Sequence, residues 1–439
     1  MFTHMKNLFA SLSLGRTPDL RLNLSVAIGS TVIRQVLASG LYFIAMWITT
    51  RQLGPHQNGV LATALLLPQS LYAFLNFGLG PSHVYHLSSG AGNLRRMRAA
   101  NWILALSLWI AVVIVISISS ETTIAKYLPG IAKSAALYAS VLFPLMLLAA
   151  WSSSLIQGNR DYQVYNKTLL IQPFVFCAAV IALYAADAVS VLAVMSCYIL
   201  SQGSLWLLSE AKIRRFGASA ASKTYNFAGA IKYGLRAHIS NVVTFLNYRI
   251  ALYLVSYMLG AAVTGKYAVS IQLAEVLWLI SSAAATIVFP ESAAHSRAPA
   301  ELHKMIRRIA RTVFQVTLAG ACVAAALAPF AIPWIFGAAY QGSVVPFLIL
   351  LPGIVVWSYM SVMANSLAGM GYQKINIQGA LICLAINVAG CVVAIPRMGA
   401  NGAALASTLA FSTTALFTVI CYRKIMAEKL AAASEKTKR

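Results

Sequence analysis

Acidic side chains are scarce in this chain: 10 aspartates and glutamates stand against 33 lysines and arginines, and charged residues make up only 10% of 439. A water-soluble domain needs far more polar surface, so water is excluded as the main solvent. The six cysteines (Cys177, Cys197, Cys322, Cys383, Cys391, Cys421) lie in or beside apolar runs and form no C-x-x-C pair. They read as small buried hydrophobes, which argues against a disulfide framework or a metal site. No G-x-x-x-x-G-K-[ST] loop is present, so nothing supports a pump driven directly by ATP. His83 and His86 have no third metal ligand nearby and read as interfacial histidines rather than a zinc site. The polar loops hold no nucleophile–base arrangement, and the expectation is a protein that is not an enzyme and carries no cofactor. Residues 1–22 contain no apolar run followed by a small-residue cleavage site. A cleavable signal peptide is therefore not expected, and the first apolar helix directs insertion.

What the chain has in abundance is apolar length. Hydrophobic residues make up 59% and the mean hydropathy is +0.75. Repeated runs of about 20 apolar residues fit helices, whereas membrane strands would alternate over about 10. Only helices and closed barrels satisfy their backbones in lipid, so the fold class is an all-α polytopic membrane protein. Twelve spans are predicted, at 23–52, 58–86, 99–120, 135–157, 165–186, 188–211, 230–259, 264–290, 309–336, 343–370, 375–395 and 400–422.

Basic residues then orient the spans. With the N-terminus inside, 26 of the 33 lysines and arginines fall on the inner side and five outside (Arg51, Lys126, Lys133, Lys266, Arg397). Arg34 and Arg249 lie within spans. This asymmetry predicts that both termini are cytoplasmic. It also accounts for the net charge of +23 without a nucleic-acid partner, since the anionic inner leaflet faces these loops.

The basic segment after residue 211 divides the spans into two groups of six. Leu53-Gly54, Gly59 and Ala62 recur as Leu259-Gly260, Gly265 and Ala268, an offset of 206 residues. Both copies fall in the turn between the first two spans of a half, where glycine permits positive φ. Six spans per half keep the halves parallel, which predicts two pseudo-symmetric lobes with a substrate path between them. The predicted organisation is a cytoplasmic N-terminal segment (1–22), an N-lobe (23–211), a basic connection (212–229), a C-lobe (230–422) and a basic tail (423–439).

Charged side chains inside spans are costly and tend to face a cavity or a partner. Arg249 lies ten residues before Leu259 and Glu275 sixteen after it, which places both about 15 Å below the outer end at 1.5 Å per residue. Two readings stay open for them: a packing pair, or a pair at a cavity wall whose arginine is shared with an anionic substrate group. Glu275 is the only acid well inside a predicted span, and its counterpart at the 206-residue offset is Gln69. Arg34 lies deeper, where it either snorkels to the inner interface or lines the inner mouth. Neutral polar residues concentrate on the first two spans of each half: Gln35, Gln69, Asn76, Asn241, Asn247 and Gln272. The candidate path comprises Arg34, Gln69, Asn76, Asn247, Arg249, Gln272 and Glu275.

Several stretches together resemble the polysaccharide transporter, or oligosaccharide flippase, family of the multidrug/oligosaccharidyl-lipid/polysaccharide (MOP) exporter superfamily. Leu53-Gly54 to Gly59 and Asn76 to Gly80 are similar to its first hairpin. Leu246 to Arg249, Leu259-Gly260, Gly265 to Ala268, Ala274-Glu275 and Phe289-Pro290 are similar to its seventh and eighth spans. Phe336-Gly337, Tyr340, Leu351 to Gly353, Asn387, Ile395-Pro396, Gly399, Gly402 to Ala404 and Ala406-Ser407 extend the likeness. It implies a V-shaped bundle in the bacterial inner membrane that moves undecaprenyl-diphosphate-linked glycans outward for O-antigen, capsule or exopolysaccharide. It also implies that Arg249 and Glu275 occupy family-typical polar positions, and that the partners are the lipid-linked oligosaccharide, the bilayer and polymerase or export machinery. Many relatives carry an acid two positions after the arginine, where this chain has Ala251. Coupling to protons or sodium is left open. Three alternatives stand beside this reading: a cation-coupled drug antiporter, a flippase for the lipid-linked peptidoglycan precursor, and a membrane-embedded glycosyltransferase or polymerase.

Overall fold

The computed structural model describes residues 18–88, 93–159, 161–215, 227–294 and 298–438. No strand occurs among them. Spans 1 and 2 form one helical run, Pro18–Leu75, divided at Gly54; Leu79–Ser88 continues span 2. Span 3 is Leu94–Ile118, span 4 combines Lys133–Ser140 with Leu142–Gly158, and span 5 combines Tyr162–Leu169 with Ile171–Ala185. Span 6 is Val191–Arg215 and span 7 is Phe227–Leu259. Span 8 combines Ala261–Val276 with Trp278–Ala294, span 9 is Pro299–Phe336, and span 10 is Val344–Gly369. Gln373–Met398 and Ala400–Lys438 are spans 11 and 12. Ten helical stretches are long and apolar enough to cross a membrane. One of these, Ile33–Leu75, holds two crossings, and span 8, broken at Leu277, supplies the twelfth.

The chain is a multi-pass membrane protein, and burial follows from lipid as solvent. Span 3 leaves Ile103, Ile110, Ile114 and Ile118 exposed, and span 9 exposes Leu327, Phe330 and Trp334. These side chains cover the outside because lipid tails are as apolar as they are. Span 4 lies in the interior of the first lobe, with Phe143, Leu147, Leu148 and Trp151 packed against Leu79 and Ala105. Of the six cysteines, Cys177, Cys197, Cys383 and Cys391 are buried, Cys421 is half-buried and Cys322 is exposed; all are free.

Helix ends follow local chemistry. Asn93 caps span 3 by accepting from the Arg96 amide, and Asp161 caps span 5 by accepting from the Val164 amide. Such caps satisfy amides that have no partner within the helix. Helix begins at Pro18, inside the segment expected to precede span 1, and span 12 stays helical to Lys438 through the expected basic tail. Most of the central connection, residues 216–226, lies outside the described residues.

The duplicated turn is visible as geometry. Gly54 has φ 68° and ψ 173°, and Gly260 has φ 78° and ψ −179°. A side chain would strain either position. The two copies also meet. A Cβ on Gly59 would lie 1.7 Å from the Ala261 carbonyl oxygen, and one on Gly265 would lie 1.9 Å from that of Pro55. The lobes therefore touch backbone to backbone at this end through equivalent residues, in the way small residues let membrane helices approach.

Candidate functional site

Closure between the lobes can be followed along two helix pairs. Span 2 runs antiparallel to span 7: Thr63 pairs with Ser256 at 2.7 Å, the Phe74 carbonyl accepts from His238 at 2.9 Å, and Ser82 donates to the Ala230 carbonyl at 2.9 Å. Gly78 and Gly234 make a second backbone contact along this seam. Span 1 pairs with span 8 more sparsely toward the basic end, where Gln35 Nε2 donates to Ser282 Oγ at 3.4 Å. The hairpin end is tied further by Tyr340 Oη donating to the Thr50 carbonyl at 2.9 Å and Trp47 Nε1 to that of Ile335 at 2.8 Å.

Arg249 and Glu275 do meet. Arg249 Nη1 donates to Glu275 Oε1 at 3.1 Å, and the side chains keep 30% and 27% of their exposure. Two antiparallel helices that start from the same Gly260 turn bring them to one depth. The guanidinium also acts electrostatically on the hydroxyl of Tyr198 in span 6 of the other lobe, as well as on that of its neighbour Tyr248. The arginine therefore lies within electrostatic reach of the opposite lobe, while its acid belongs to its own. With one donor on Glu275, the planar fork keeps donors free for a second anion.

The other candidates separate into groups. Asn247 is buried, donates to the Ala380 carbonyl at 2.9 Å, and lines a cavity of about 30 Å³ with Glu275, Tyr248, Tyr267, Trp278 and Ser407. This cavity has room for one water molecule. Gln272 is exposed one turn before Glu275, and Gln69 is half-buried with no hydrogen bond among the described residues. Asn76 shapes the break in span 2, where its side chain donates to the Tyr72 carbonyl and accepts from the Gly78 amide. Arg34 is half-buried in span 1, within electrostatic reach of Tyr165 of span 5, and its Nε is sealed from solvent with no hydrogen-bond partner among the described residues. It is not brought to the Arg249 pair.

Three features escaped the sequence reading. The aromatic groups around the pair, Tyr198 packed on Phe176 at 4.2 Å and Tyr248 packed on Trp278 at 4.8 Å, are indistinguishable in sequence from lipid-facing aromatics. Glu210, at the basic end of span 6, is a buried acid held by Arg98 of span 3, whose Nε donates to it at 2.7 Å. His83 is fully buried and hydrogen-bonds Asn101 at 2.8 Å, so it belongs to the N-lobe interior rather than an interface. Among the described residues no group of three or more histidine, cysteine or acidic side chains could hold a metal.

Residues 48–345 match the family described as Polysaccharide biosynthesis protein. The chain belongs to that family. No curated protein matches this family member in sequence. Its fold resembles the lipid II flippase MurJ in an inward closed conformation, with TM-score 0.74 and 14% identity over 93% of this chain and 91% of that one. An inward-facing MATE-family multidrug transporter matches with TM-score 0.70 and 14% identity, over 91% of this chain and 99% of the other. A MOP-superfamily transporter from Pyrococcus furiosus gives 0.67 at 14% identity, covering 92% and 96%. The fold is thereby that of the MOP-superfamily transporters it matches.

Proposed function

We propose that this protein flips undecaprenyl-diphosphate-linked oligosaccharide units from the cytoplasmic to the outer leaflet by alternating access, with Arg249 as the cavity's anion contact. The observation that carries this reading is a part-exposed arginine at mid-depth, within reach of the opposite lobe and held by a single hydrogen bond to an acid of its own. An arginine placed there costs the fold free energy unless something compensates it, and a diphosphate supplies the geometry its fork prefers. In this reading the basic end is cytoplasmic, the polyprenyl tail stays in lipid, and the headgroup passes between the lobes. Outward movement of an anion is downhill by about 2.3 kcal/mol per charge per 100 mV when the inside is negative. Coupling to protons or sodium is therefore not needed to drive it. The pathway served is the synthesis of O-antigen, capsule or exopolysaccharide, and the membrane is the bacterial inner membrane.

The test is protein-dependent translocation of an undecaprenyl-diphosphate glycan in liposomes. Wild type should translocate it, and Arg249→Ala should lower the rate about tenfold or more, the effect of losing one charge-assisted contact worth about 1.5–3 kcal/mol. Translocation that is unchanged in the variant would reduce Arg249 to a packing residue. Failure to move any such glycan, together with uptake of organic cations, would replace the flippase with the antiporter.

A further inference from the structure

A cationic pocket lies away from the path between the lobes, inside the C-lobe at the basic end. It measures about 280 Å³ and is lined by residues of spans 9, 10 and 12, among them His303, Arg307, Tyr359, Met363, Tyr422 and Arg423. Its height follows from helix length. Span 9 has 38 residues, or about 57 Å at 1.5 Å per residue, against a hydrocarbon core of about 30 Å. Because span 9 ends at the Gly337 turn, the surplus projects at the basic end and carries His303 and Arg307 beyond the apolar core. Arg423 lies 23 residues after Ala400 along span 12, at a similar level. The pocket therefore opens where lipid phosphates sit.

Its chemistry is that of an anion site. Arg307 and Arg423 form no ion pair among the described residues. The acids on the same helix ends, Glu301 and Glu428, are exposed and do not line the pocket. Tyr422 is fully buried, stacks on His303 with ring centroids 6.0 Å apart, and lies 3.5 Å through its hydroxyl from His303 Nδ1. Burial and the neighbouring Arg307 hold the His303 imidazole below its usual pKa. At neutral pH it is an uncharged hydrogen-bonding group, and the charge comes from the arginines. Buried Met363 and Met426 form an apolar floor. Two unpaired guanidiniums over a histidine and an apolar floor match a phosphate on an organic body, since arginine forks bind phosphate oxygens in pairs.

We infer that the pocket between spans 9, 10 and 12 binds a phosphate-bearing anion at the membrane surface, with Arg307 and Arg423 as its contacts. The headgroup of an anionic lipid and a soluble phosphate share this chemistry. The inference stands apart from the transport reading, because none of these residues lies on the path between the lobes. Its occupant would tie the ends of three C-lobe helices together.

The test titrates full-length protein in detergent with short-chain phosphatidylglycerol and phosphatidylcholine, followed by native mass spectrometry, and with inorganic phosphate, followed by calorimetry. Phosphatidylglycerol should bind in preference to phosphatidylcholine, and its affinity should fall about tenfold or more in R307Q/R423Q. K304Q/R308Q, which removes the same charge from side chains outside the pocket, should keep the preference. Ala427 also lines the pocket, so A427W fills it without removing charge and should lose the ligand as well, which keeps the test decisive if the double arginine variant misfolds. Binding of inorganic phosphate with the same dependence and no preference between lipids would support the site and assign it a soluble ligand. Equal binding of both lipids without phosphate binding, or equal losses in R307Q/R423Q and K304Q/R308Q, would overturn it.

Discussion

Among the described residues the two lobes each hold one arginine–glutamate pair, and the pairs are built for different tasks. Arg98 and Glu210 join spans 3 and 6 within the N-lobe, with the acid only 7% exposed and the arginine engaging it through two nitrogens. Arg249 and Glu275 join spans 7 and 8 of the C-lobe through one nitrogen, with both side chains more than a quarter exposed. A pair whose acid is sealed and gripped by two donors fixes helices and offers little to a ligand. An open pair with free donors is a poor clamp and a good anion contact. The exposure of the acid and the number of donors on it separate the two roles where residue type does not.

The largest expected effect comes from breaking the sealed pair. Glu210→Ala leaves the half-buried Arg98 without its counter-ion and should cost about 3 kcal/mol, the low end for such deletions because Arg98 is a quarter exposed. Thermal unfolding of purified protein in detergent measures this, and a loss within experimental scatter would place Glu210 with the open class. A smaller loss is expected from Gly265→Ala, whose added Cβ meets the Pro55 carbonyl. Overpacking of that kind costs about 1–3 kcal/mol. Transport should suffer more than stability, because the contact joins the lobes around Arg249 and lies far from Arg98. Transport at the wild-type rate would show that closure at the hairpin end is dispensable. The smallest stability change belongs to Glu275→Gln, at about 1 kcal/mol or less for a part-exposed pair, again read by thermal unfolding. A loss as large as that of Glu210→Ala would erase the distinction between the pairs.

Much of the fold was legible because lipid leaves the backbone few choices. Apolar length marked the spans, and the offset of 206 residues found a turn whose two glycines share one backbone conformation. The sequence could not show that Gly59 and Gly265 face each other across the lobes, since the repeat signals equivalence and not contact. Counting residues from the shared turn put Arg249 and Glu275 at equal depth, and they pair. Asn76 looked like a path residue by composition, yet its amide is engaged by the chain break beside it, a local use that hydropathy does not reveal. Glu210 was missed because it sits at a helix end, where an acid in sequence looks solvated. Only tertiary packing brings Arg98 over it.

The most direct measurement of the central claim is the affinity of an undecaprenyl-diphosphate oligosaccharide for wild type, Arg249→Ala and Glu275→Gln in detergent. If Arg249 is the anion contact and Glu275 competes for it from behind, Glu275→Gln should bind at least as tightly as wild type and Arg249→Ala about tenfold more weakly. Equal affinities for wild type and Arg249→Ala, or a loss in Glu275→Gln matching that of Arg249→Ala, would contradict the account and leave the open pair as a second clamp.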